Sequence, residues 1–278
     1  MSLENRIANW VDMTGELTDY SEVYQMQEGL AKLRSNGVIG DTILLCQHNP
    51  VISFGGSKQF STFTEEFLED MRSQNPEADE EALRELAIRH LAELGIMFSV
   101  TKRGGGSSYI GPGQLVVYPI VDYTKIRDSS TQDWYKDRID KIMKETLLSF
   151  GVESRIVKDT REGRDGRKDL WWNDEAGNSF KLGGKGIMYV VYRQKTPVAY
   201  HGFQLNVTPE SIRGCHYINL CGYPPNELRA TSMSDVAGRR IEVDEVKERV
   251  IEVMKNNFGY SEINQIALSD LQAVKNAG

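Results

Sequence analysis

A glycine-rich segment without charged residues most constrains how this chain can fold. Residues 104–121 carry no Asp, Glu, Lys or Arg, but they contain five glycines and two prolines. Glycine and proline at this density exclude a membrane-spanning helix. Strand-like sequence precedes the segment at 96–101 and occupies its end at 115–120. We therefore expect the glycines to link two strands of a soluble protein.

Helix-like and strand-like segments follow one another in mixed order. Apolar spacing predicts a helix over residues 18–35, capped by Thr18 or Asp19 and ended at Gly37. Further helices are predicted over 64–72, 79–94, 132–150 and 243–258, and strands over 42–46, 51–54, 96–101, 115–120, 155–157, 186–193 and 198–207. Residues 161–178 are predicted as a polar loop. Neighbouring strands without helices between them favour an α+β fold over a doubly wound one.

Length and charge restrict the functional class. The chain has 278 residues, within the range of one large domain, and we expect a single domain over residues 1–278. Its 33 Lys and Arg against 40 Asp and Glu give a formal charge of −7, which argues against nucleic-acid binding because that requires a basic face.

Three cysteines are too few for a disulfide framework and indicate a reducing, cytoplasmic location. The first ten residues lack the apolar region of a signal peptide.

The glycine segment has the composition of a ligand-binding loop. Five glycines in ten positions exceed what one turn needs, and they let a ligand approach the backbone closely. Neither nucleotide motif fits, because Tyr109 replaces the third glycine of a dinucleotide fingerprint and Pro112 replaces the lysine of a phosphate loop. We interpret the segment as a ligand-facing loop, with an ordinary turn between strands as the alternative.

The cysteines offer a candidate nucleophile. Cys215 and Cys221 lie six positions apart, whereas structural zinc sites use closer pairs and four ligands, so a metal site is disfavoured. Cys221 is followed by Gly222 and two prolines, which favours a thiol presented on a tight turn. The alternative is a cysteine packed in the core.

Lysines offer the complementary group. Lys181 and Lys185 lie in the small-residue sequence Phe-Lys-Leu-Gly-Gly-Lys-Gly-Ile, where few side chains stand between a lysine and its partner. An ammonium beside a thiol stabilises the thiolate and can then move protons. The pattern favours a Cys/Lys dyad, against the alternative of ordinary exposed lysines.

Three segments together resemble the lipoyl(octanoyl) transferase family, the octanoyl-carrier-protein:protein transferases of lipoate biosynthesis. They are the glycine segment 103–114, then Lys181-Leu182 with Gly186, then Tyr200-His-Gly202 with 205–207 and Ile218-Asn-Leu-Cys-Gly222. The similarity runs in the family's order from His48-Asn-Pro-Val51 to Ala230-Thr-Ser232. The conjunction of these motifs is more specific than any one of them.

The resemblance implies an α+β fold with a central mixed β-sheet flanked by helices, like that of the biotin/lipoate protein ligases. It implies an acyltransferase that moves an octanoyl or similar medium-chain group from acyl carrier protein to a lysine of lipoyl domains. The implied acceptors are 2-oxoacid dehydrogenases or the glycine cleavage H protein. Neither a metal nor a cofactor is implied.

The resemblance also implies roles for individual residues. Cys221 is the implied acyl-accepting nucleophile, and Lys181 is the acid and base that activates it. The implied substrate-binding residues are His48, Arg103, Gly104, Gly105, Gly106, Ser107, Ser108, Tyr109, Ile110, Gly111, His201 and Gly202.

The chain departs from the family in two respects. Ile110 stands where the family has histidine, so we expect a more apolar pocket and a longer or altered acyl group. Two insertions, near 69–85 and 161–178, are expected on the surface. Because acyl carrier proteins are acidic, the expected docking patch comprises Lys102, Arg103 and residues 161–168.

Two other functions are compatible with these residues. An ATP-dependent lipoate or biotin protein ligase shares the fold by resemblance and needs no cysteine. A non-catalytic binder of carrier domains is the third alternative, which the presence of both Lys181 and Cys221 disfavours.

Overall fold

A computed structural model describes residues 6–54, 63–103, 106–126, 131–158, 168–191 and 195–277. The strands are β1 (Ile7–Thr18), β2 (Asp41–His48), β3 (Val51–Phe54), β4 (Met97–Val100), β5 (Ser108–Ile110), β6 (Gln114–Asp122), β7 (Arg155–Lys158), β8 (Lys168–Asn173), β9 (Ser179–Val190), β10 (Val198–Asn206), β11 (Arg229–Ala230) and β12 (Glu262–Gln265). The helices are α1 (Tyr20–Ser35), α2 (Glu65–Gln74), α3 (Glu80–Glu93), α4 (Gln132–Leu148), α5 (Met233–Ala237), α6 (Val243–Phe258) and α7 (Leu268–Ala277).

The main sheet is mixed, as expected. Its described strands run in the order β12-β1-β2-β6-β10-β9-β8-β7, and β11 pairs with β9. β1 is parallel to β2 and β12, and β11 is parallel to β9, whereas the pairs from β2 through β6, β10, β9 and β8 to β7 are antiparallel. The prediction of an α+β fold with a central mixed sheet and flanking helices is confirmed.

Helices cover both faces of this sheet. All nine residues of the central strand β6 are buried, which is typical of a strand with packing on both sides. Leu115 and Val117 pack with α4 and α6, whereas Val116 and Tyr118 pack with α1 on the opposite face. Burying an aliphatic side chain of this size contributes about 1.5–3 kcal/mol, so both layers stabilise the centre of the sheet.

Local sequence signals account for the helices that were predicted. Asp19 caps α1 by accepting hydrogen bonds from the backbone N–H groups of Ser21 and Glu22. The helix ends before Gly37, whose φ of 75° lies in the left-handed region. Within the described ranges, no helix has the length and apolar character needed to cross a membrane.

A second, three-stranded sheet lies beside the main one in the order β4-β3-β5. Its register places Ile110 opposite Val51 and Tyr109 opposite Ile52. α2 and α3 contribute Phe67, Met71, Leu83 and Leu91 to a third apolar cluster that also contains Ile218 and Leu220. The segment 69–85, expected as a surface insertion, thus forms parts of α2 and α3 and adds buried side chains beside the turn that carries Cys221.

The prediction of a polar loop over 161–178 is wrong in part. Residues 168–173 form β8, which pairs with both β7 and β9. The strand is hard to recognise because its register with β9 shifts between Leu170 and Trp171, which disrupts the alternation of buried and exposed positions. Residues 161–167 lie outside the described part of the chain.

Candidate active site

Lys181 and Cys221 meet in the structure although 40 positions separate them in the chain. Lys181 is the third residue of β9, and Cys221 lies in a three-ten turn, Leu220–Gly222. The Nζ atom of Lys181 lies 2.6 Å from the Sγ atom of Cys221. Lys181 is only 6% exposed, so its amine meets the thiol in a largely buried position. The juxtaposition expected from the sequence is therefore present.

The small residues around Lys181 make room for its side chain. A Cβ atom on Gly184 would lie 3.2 Å from both Cε and Nζ of Lys181, a contact tighter than most packed atoms show. Parallel pairing with β11 places Ala230 opposite Lys181, and Trp171 of β8 lies opposite it on the other side. These neighbours fix where the lysine side chain lies on the sheet.

The backbone at Cys221 is strained. Its φ of 54° and ψ of 21° lie in the left-handed region, which costs a non-glycine residue about 1–3 kcal/mol. The Gly222 N–H donates to the Asn219 carbonyl at 2.9 Å, and the Asn219 side-chain amide donates to the Phe63 carbonyl at 2.9 Å. The predicted presentation of this thiol on a tight turn is confirmed.

The glycine segment reaches the same turn. Ser107 Oγ donates to the Asn219 carbonyl at 3.5 Å, which connects the segment to the turn of Cys221. Ser108 Oγ accepts a hydrogen bond from Gln204 Nε2 at 3.1 Å, and Gly106 is half-buried. Gly104 and Gly105 lie outside the described residues.

Tyr109, Ile110 and Gly111 pack inward. A Cβ atom on Gly111 or Gly214 would overlap the ring of Tyr109, so both glycines are needed for this ring to fit. Burial raises the pKa of the Tyr109 phenol to about 12, which keeps it protonated. Ile110 is buried in the apolar cluster that contains Val51 and Tyr118. The position expected to differ from the family therefore lies in an apolar environment.

Arg103 is not available for docking a partner at the surface, contrary to expectation. It is 6% exposed, and its guanidinium donates from Nε to Ser53 Oγ at 3.1 Å and from Nη2 to the Ser53 carbonyl at 2.5 Å. The apolar stem and the planar donors of arginine suit such a buried position. Lys102 is exposed, as expected, and residues 161–167 of the expected patch lie outside the described part.

His48 and His201 lie in a buried polar cluster and do not contact the dyad of Lys181 and Cys221. His48 Nε2 lies 2.9 Å from Tyr118 Oη, and His201 Nε2 lies 3.3 Å from Tyr20 Oη. Among the described residues, neither imidazole has a hydrogen bond to Lys181 or Cys221. Burial lowers the pKa of His48 to about 4 and that of His201 to about 3, so both are neutral at ordinary pH.

Gly202 follows His201 at a distorted point of β10. His201 has a φ of 70° and Gly202 a φ of 136°, both in the region that disfavours side chains. A Cβ atom on Gly202 would lie 2.6 Å from Pro119 Cδ. Glycine at 202 therefore allows the strand to bend so that the His201 ring enters the buried cluster.

Cys215 lies close enough to the dyad to interact with it electrostatically. Burial raises the pKa of its thiol to about 12, the Lys181 charge opposes this rise, and the Cys221 charge adds to it. The Cys215 thiol therefore stays protonated at neutral pH. Among the described residues, no group of three or more His, Cys, Asp or Glu side chains has the arrangement of a metal site.

Sequence reasoning missed an aromatic pair beside the dyad. Trp171 and Tyr223 make an edge-to-face contact with centroids 5.2 Å apart and an interplanar angle of 82°. Tyr223 is two residues from Cys221, and Trp171 is opposite Lys181. The doublet Trp171-Trp172 inside an apparently polar stretch was the available signal.

Comparison with known proteins identifies the family. The sequence pattern of the lipoyl protein ligase A/B catalytic domain matches residues 72–255. An octanoyltransferase of Solibacter usitatus is 30% identical over 238 residues, covering 83% of this chain and 84% of that protein. An octanoyltransferase of Desulfotalea psychrophila is 29% identical over 245 residues, covering 87% of this chain and 91% of the relative.

Solved structures share the fold at low sequence identity. A lipoate-protein ligase A bound with ATP superposes with a TM-score of 0.63 at 12% identity, covering 98% of this chain and 93% of the other. A bipartite lipoate protein ligase of Thermoplasma acidophilum superposes with a TM-score of 0.58 at 12% identity, covering 98% and 92%. The expected ligase-like fold is confirmed. The two relatives above, which the chain matches over most of their length, are named octanoyltransferases. The chain thus belongs to the lipoyl protein ligase A/B catalytic domain family.

Proposed function

We propose that this protein is an octanoyltransferase of lipoate biosynthesis that carries the acyl group on Cys221. The observation that supports this most directly is the 2.6 Å separation between Lys181 Nζ and Cys221 Sγ. Its relatives named octanoyltransferase extend over most of the chain. A nucleophile in hydrogen-bond reach of a group that moves its proton is the arrangement needed for covalent acyl transfer.

The first step transfers the acyl group to the enzyme. The donor is an octanoyl thioester on the phosphopantetheine arm of acyl carrier protein. The Lys181 ammonium stabilises the Cys221 thiolate, which attacks the thioester carbonyl. A new carbon–sulfur bond to Cys221 forms, the bond to the pantetheine sulfur breaks, and the leaving thiolate takes a proton from Lys181. One thioester replaces another, so the step is nearly isoenergetic and requires no ATP.

The second step transfers the acyl group to a lipoyl-domain lysine. A lysine amine has a reference pKa of about 10.4, so a base must take its proton for it to react at neutral pH. Lys181, left neutral by the first step, is positioned to act as this base beside the acylated sulfur. The amine nitrogen bonds to the carbonyl carbon, and the Cys221 thiolate leaves. Amide formation makes this step downhill, and the overall kinetics are ping-pong.

The partners follow from the same chemistry. A structural neighbour from Thermoplasma acidophilum was studied with its E2 lipoyl domain, which supports a lipoyl domain as acceptor here. Acyl carrier protein is acidic, so docking on this acidic chain uses a local basic surface. The exposed Lys102 next to the glycine segment is a candidate member of that surface.

A substitution at Cys221 separates this proposal from an ATP-dependent ligase. The assay supplies octanoyl-acyl carrier protein, or free octanoate with ATP, together with a lipoyl domain, and detects the octanoylated domain by mass. The wild-type protein acts on the thioester without ATP, and Cys221→Ser abolishes that transfer. Octanoylation from free acid and ATP that survives in Cys221→Ser would instead establish a ligase. Cys46→Ser is the matched control, because Cys46 is a fully buried thiol of β2.

A further inference from the structure

Two buried side-chain amides connect the strands around the dyad. Gln114 at the start of β6 and Asn206 at the end of β10 are register partners, with exposures of 0% and 3%. Gln114 Nε2 donates to Asn206 Oδ1 at 3.1 Å. A buried amide destabilises the fold unless its donors and acceptors form hydrogen bonds. The hydrogen-bond partners of this pair therefore indicate which backbone segments it holds in place.

Asn206 holds the backbone of Lys181. Its Nδ2 atom donates to the Lys181 carbonyl at 3.2 Å and to the Thr231 carbonyl at 3.1 Å. The Thr231 N–H donates to the same Lys181 carbonyl at 3.1 Å. Asn206 therefore connects Lys181 in β9 to Thr231, which lies ten residues after Cys221.

Gln114 holds the residue that precedes the Cys221 segment, which is the stretch 212–231 that contains Cys221. Its Nε2 atom reaches the Ser211 carbonyl at 3.0 Å and the Tyr109 carbonyl at 3.3 Å, and its Oε1 atom accepts from the Gly111 N–H at 3.2 Å. The same amide thus contacts Ser211, which precedes the Cys221 segment, and residues 109 and 111 of the glycine segment.

The segment between these anchors has little regular structure of its own. From 212 to 231 it contains two three-ten turns and the two-residue strand β11. The strained backbone at Cys221 needs support from its surroundings, because a short turn alone does not maintain a left-handed residue. Anchoring at Ser211 and Thr231 supplies that support at both ends.

We infer that the Gln114–Asn206 amide pair is a positioning device that sets the separation of Lys181 Nζ and Cys221 Sγ. Neither amide is bonded to the reacting atoms, so both act through the backbone they hold. The inference deepens the proposed function, since it concerns the geometry of the same dyad. Its test uses the reactivity of the thiol, which is measured independently of acyl transfer.

The test uses uncharged variants of similar shape, so that no new charge perturbs the thiol. Asn206→Leu and Gln114→Met remove the hydrogen bonds of the pair. Asn257→Leu is the matched control, because Asn257 is 4% exposed and its Nδ2 atom likewise donates to a carbonyl, that of Val253, and to the Glu145 side chain. Asn206→Ser is a milder second variant should Asn206→Leu fail to fold. Iodoacetamide alkylation of Cys221 is followed by mass spectrometry from pH 5 to pH 10, together with the melting temperature.

We expect both pair variants to alkylate Cys221 at least about tenfold more slowly at pH 7, with the midpoint of the pH–rate profile about one unit higher. Asn257→Leu lowers the melting temperature without changing either value. Wild-type alkylation in folded pair variants, or an equal loss of reactivity in Asn257→Leu, would overturn the inference. A reactive wild-type Cys221 that forms no acyl-enzyme would instead count against the proposed function alone.

Discussion

Trp171 and Lys181 face each other directly across the antiparallel pair of β8 and β9. Residues paired in this way project their side chains to the same side of the sheet, so the indole is a neighbour of the dyad. The Trp171 ring is packed edge-to-face on Tyr223, and its Nε1–H is buried without a hydrogen-bond partner among the described residues. The indole therefore contributes apolar packing to this wall of the site.

This packing role predicts different effects for two substitutions at Trp171. Trp171→Ala removes a large buried ring and should lower the free energy of unfolding by about 3–5 kcal/mol. Trp171→Phe keeps an aromatic ring and deletes a donor that has no partner among the described residues, so its cost should stay below about 1.5 kcal/mol. Urea denaturation of the two variants measures both values. Equal losses would show that the indole N–H, and not the ring, is the important group.

Gly184→Ala should impair transfer with little loss of stability. The added methyl group would lie 3.2 Å from Cε and Nζ of Lys181 and displace the amine from the sulfur. We expect transfer to fall at least about tenfold, because small displacements of reacting groups have large effects on rate. Gly15→Ala is the control, since a Cβ atom there meets nothing within 4 Å. Steady-state transfer rates and melting curves check the prediction, which an unchanged rate would contradict.

The buried histidines should make stability depend on pH. The folded pKa values of about 4 for His48 and about 3 for His201 lie below the unfolded value of 6.5. The unfolded chain therefore binds more protons, and the stabilisation present above pH 6.5 is lost as the pH falls toward 4, by about 1.4 kcal/mol per pH unit for each histidine. Urea denaturation between pH 7 and pH 4.5 measures this slope.

His48→Gln isolates one of these contributions. The variant should show a shallower pH dependence than the wild-type protein over the same range. Because neither imidazole titrates near neutral pH, neither should produce an inflection in kcat/KM between pH 6 and pH 8. An inflection there that disappears in His48→Gln would assign this residue a catalytic role.

Ile110 should influence which acyl chain is accepted. Each buried methylene contributes about 0.8 kcal/mol, so we expect the apolar Ile110 to favour a longer acyl group than a histidine at this position would. Ile110→His should shift preference toward shorter chains, and it should lower stability because the imidazole enters an apolar cluster. Comparing kcat/KM for eight-, ten- and twelve-carbon thioesters tests this; an unchanged ratio would rule out a role in chain selection.

Local sequence patterns were sufficient to predict most helices and the turn that carries Cys221. α1 has its cap at Asp19 and its stop at Gly37, and both signals act within a few residues. β1 was not predicted, because its pairing with β2 shifts register between Met13 and Leu17 and breaks the alternation of buried residues. The same kind of irregularity concealed β8.

The site could be predicted only as far as its motifs extend. The glycines and the segments of Lys181 and Cys221 have distinctive composition, so the dyad was found. Gln114 and Asn206 both lie within these motif segments, but their hydrogen bond spans 92 positions, and neither residue type indicates which partner it takes. Burial of Arg103 was likewise hidden, since its partner Ser53 lies 50 positions away.

The central claim is that Cys221 carries the acyl group between donor and acceptor. The most direct test is the intact mass of the protein after brief mixing with octanoyl-acyl carrier protein in the absence of a lipoyl domain. The account predicts a gain of one octanoyl group, mapped to Cys221 by peptide digestion and lost when the lipoyl domain is added. An enzyme that stays unmodified throughout turnover while the lipoyl domain becomes octanoylated would contradict it.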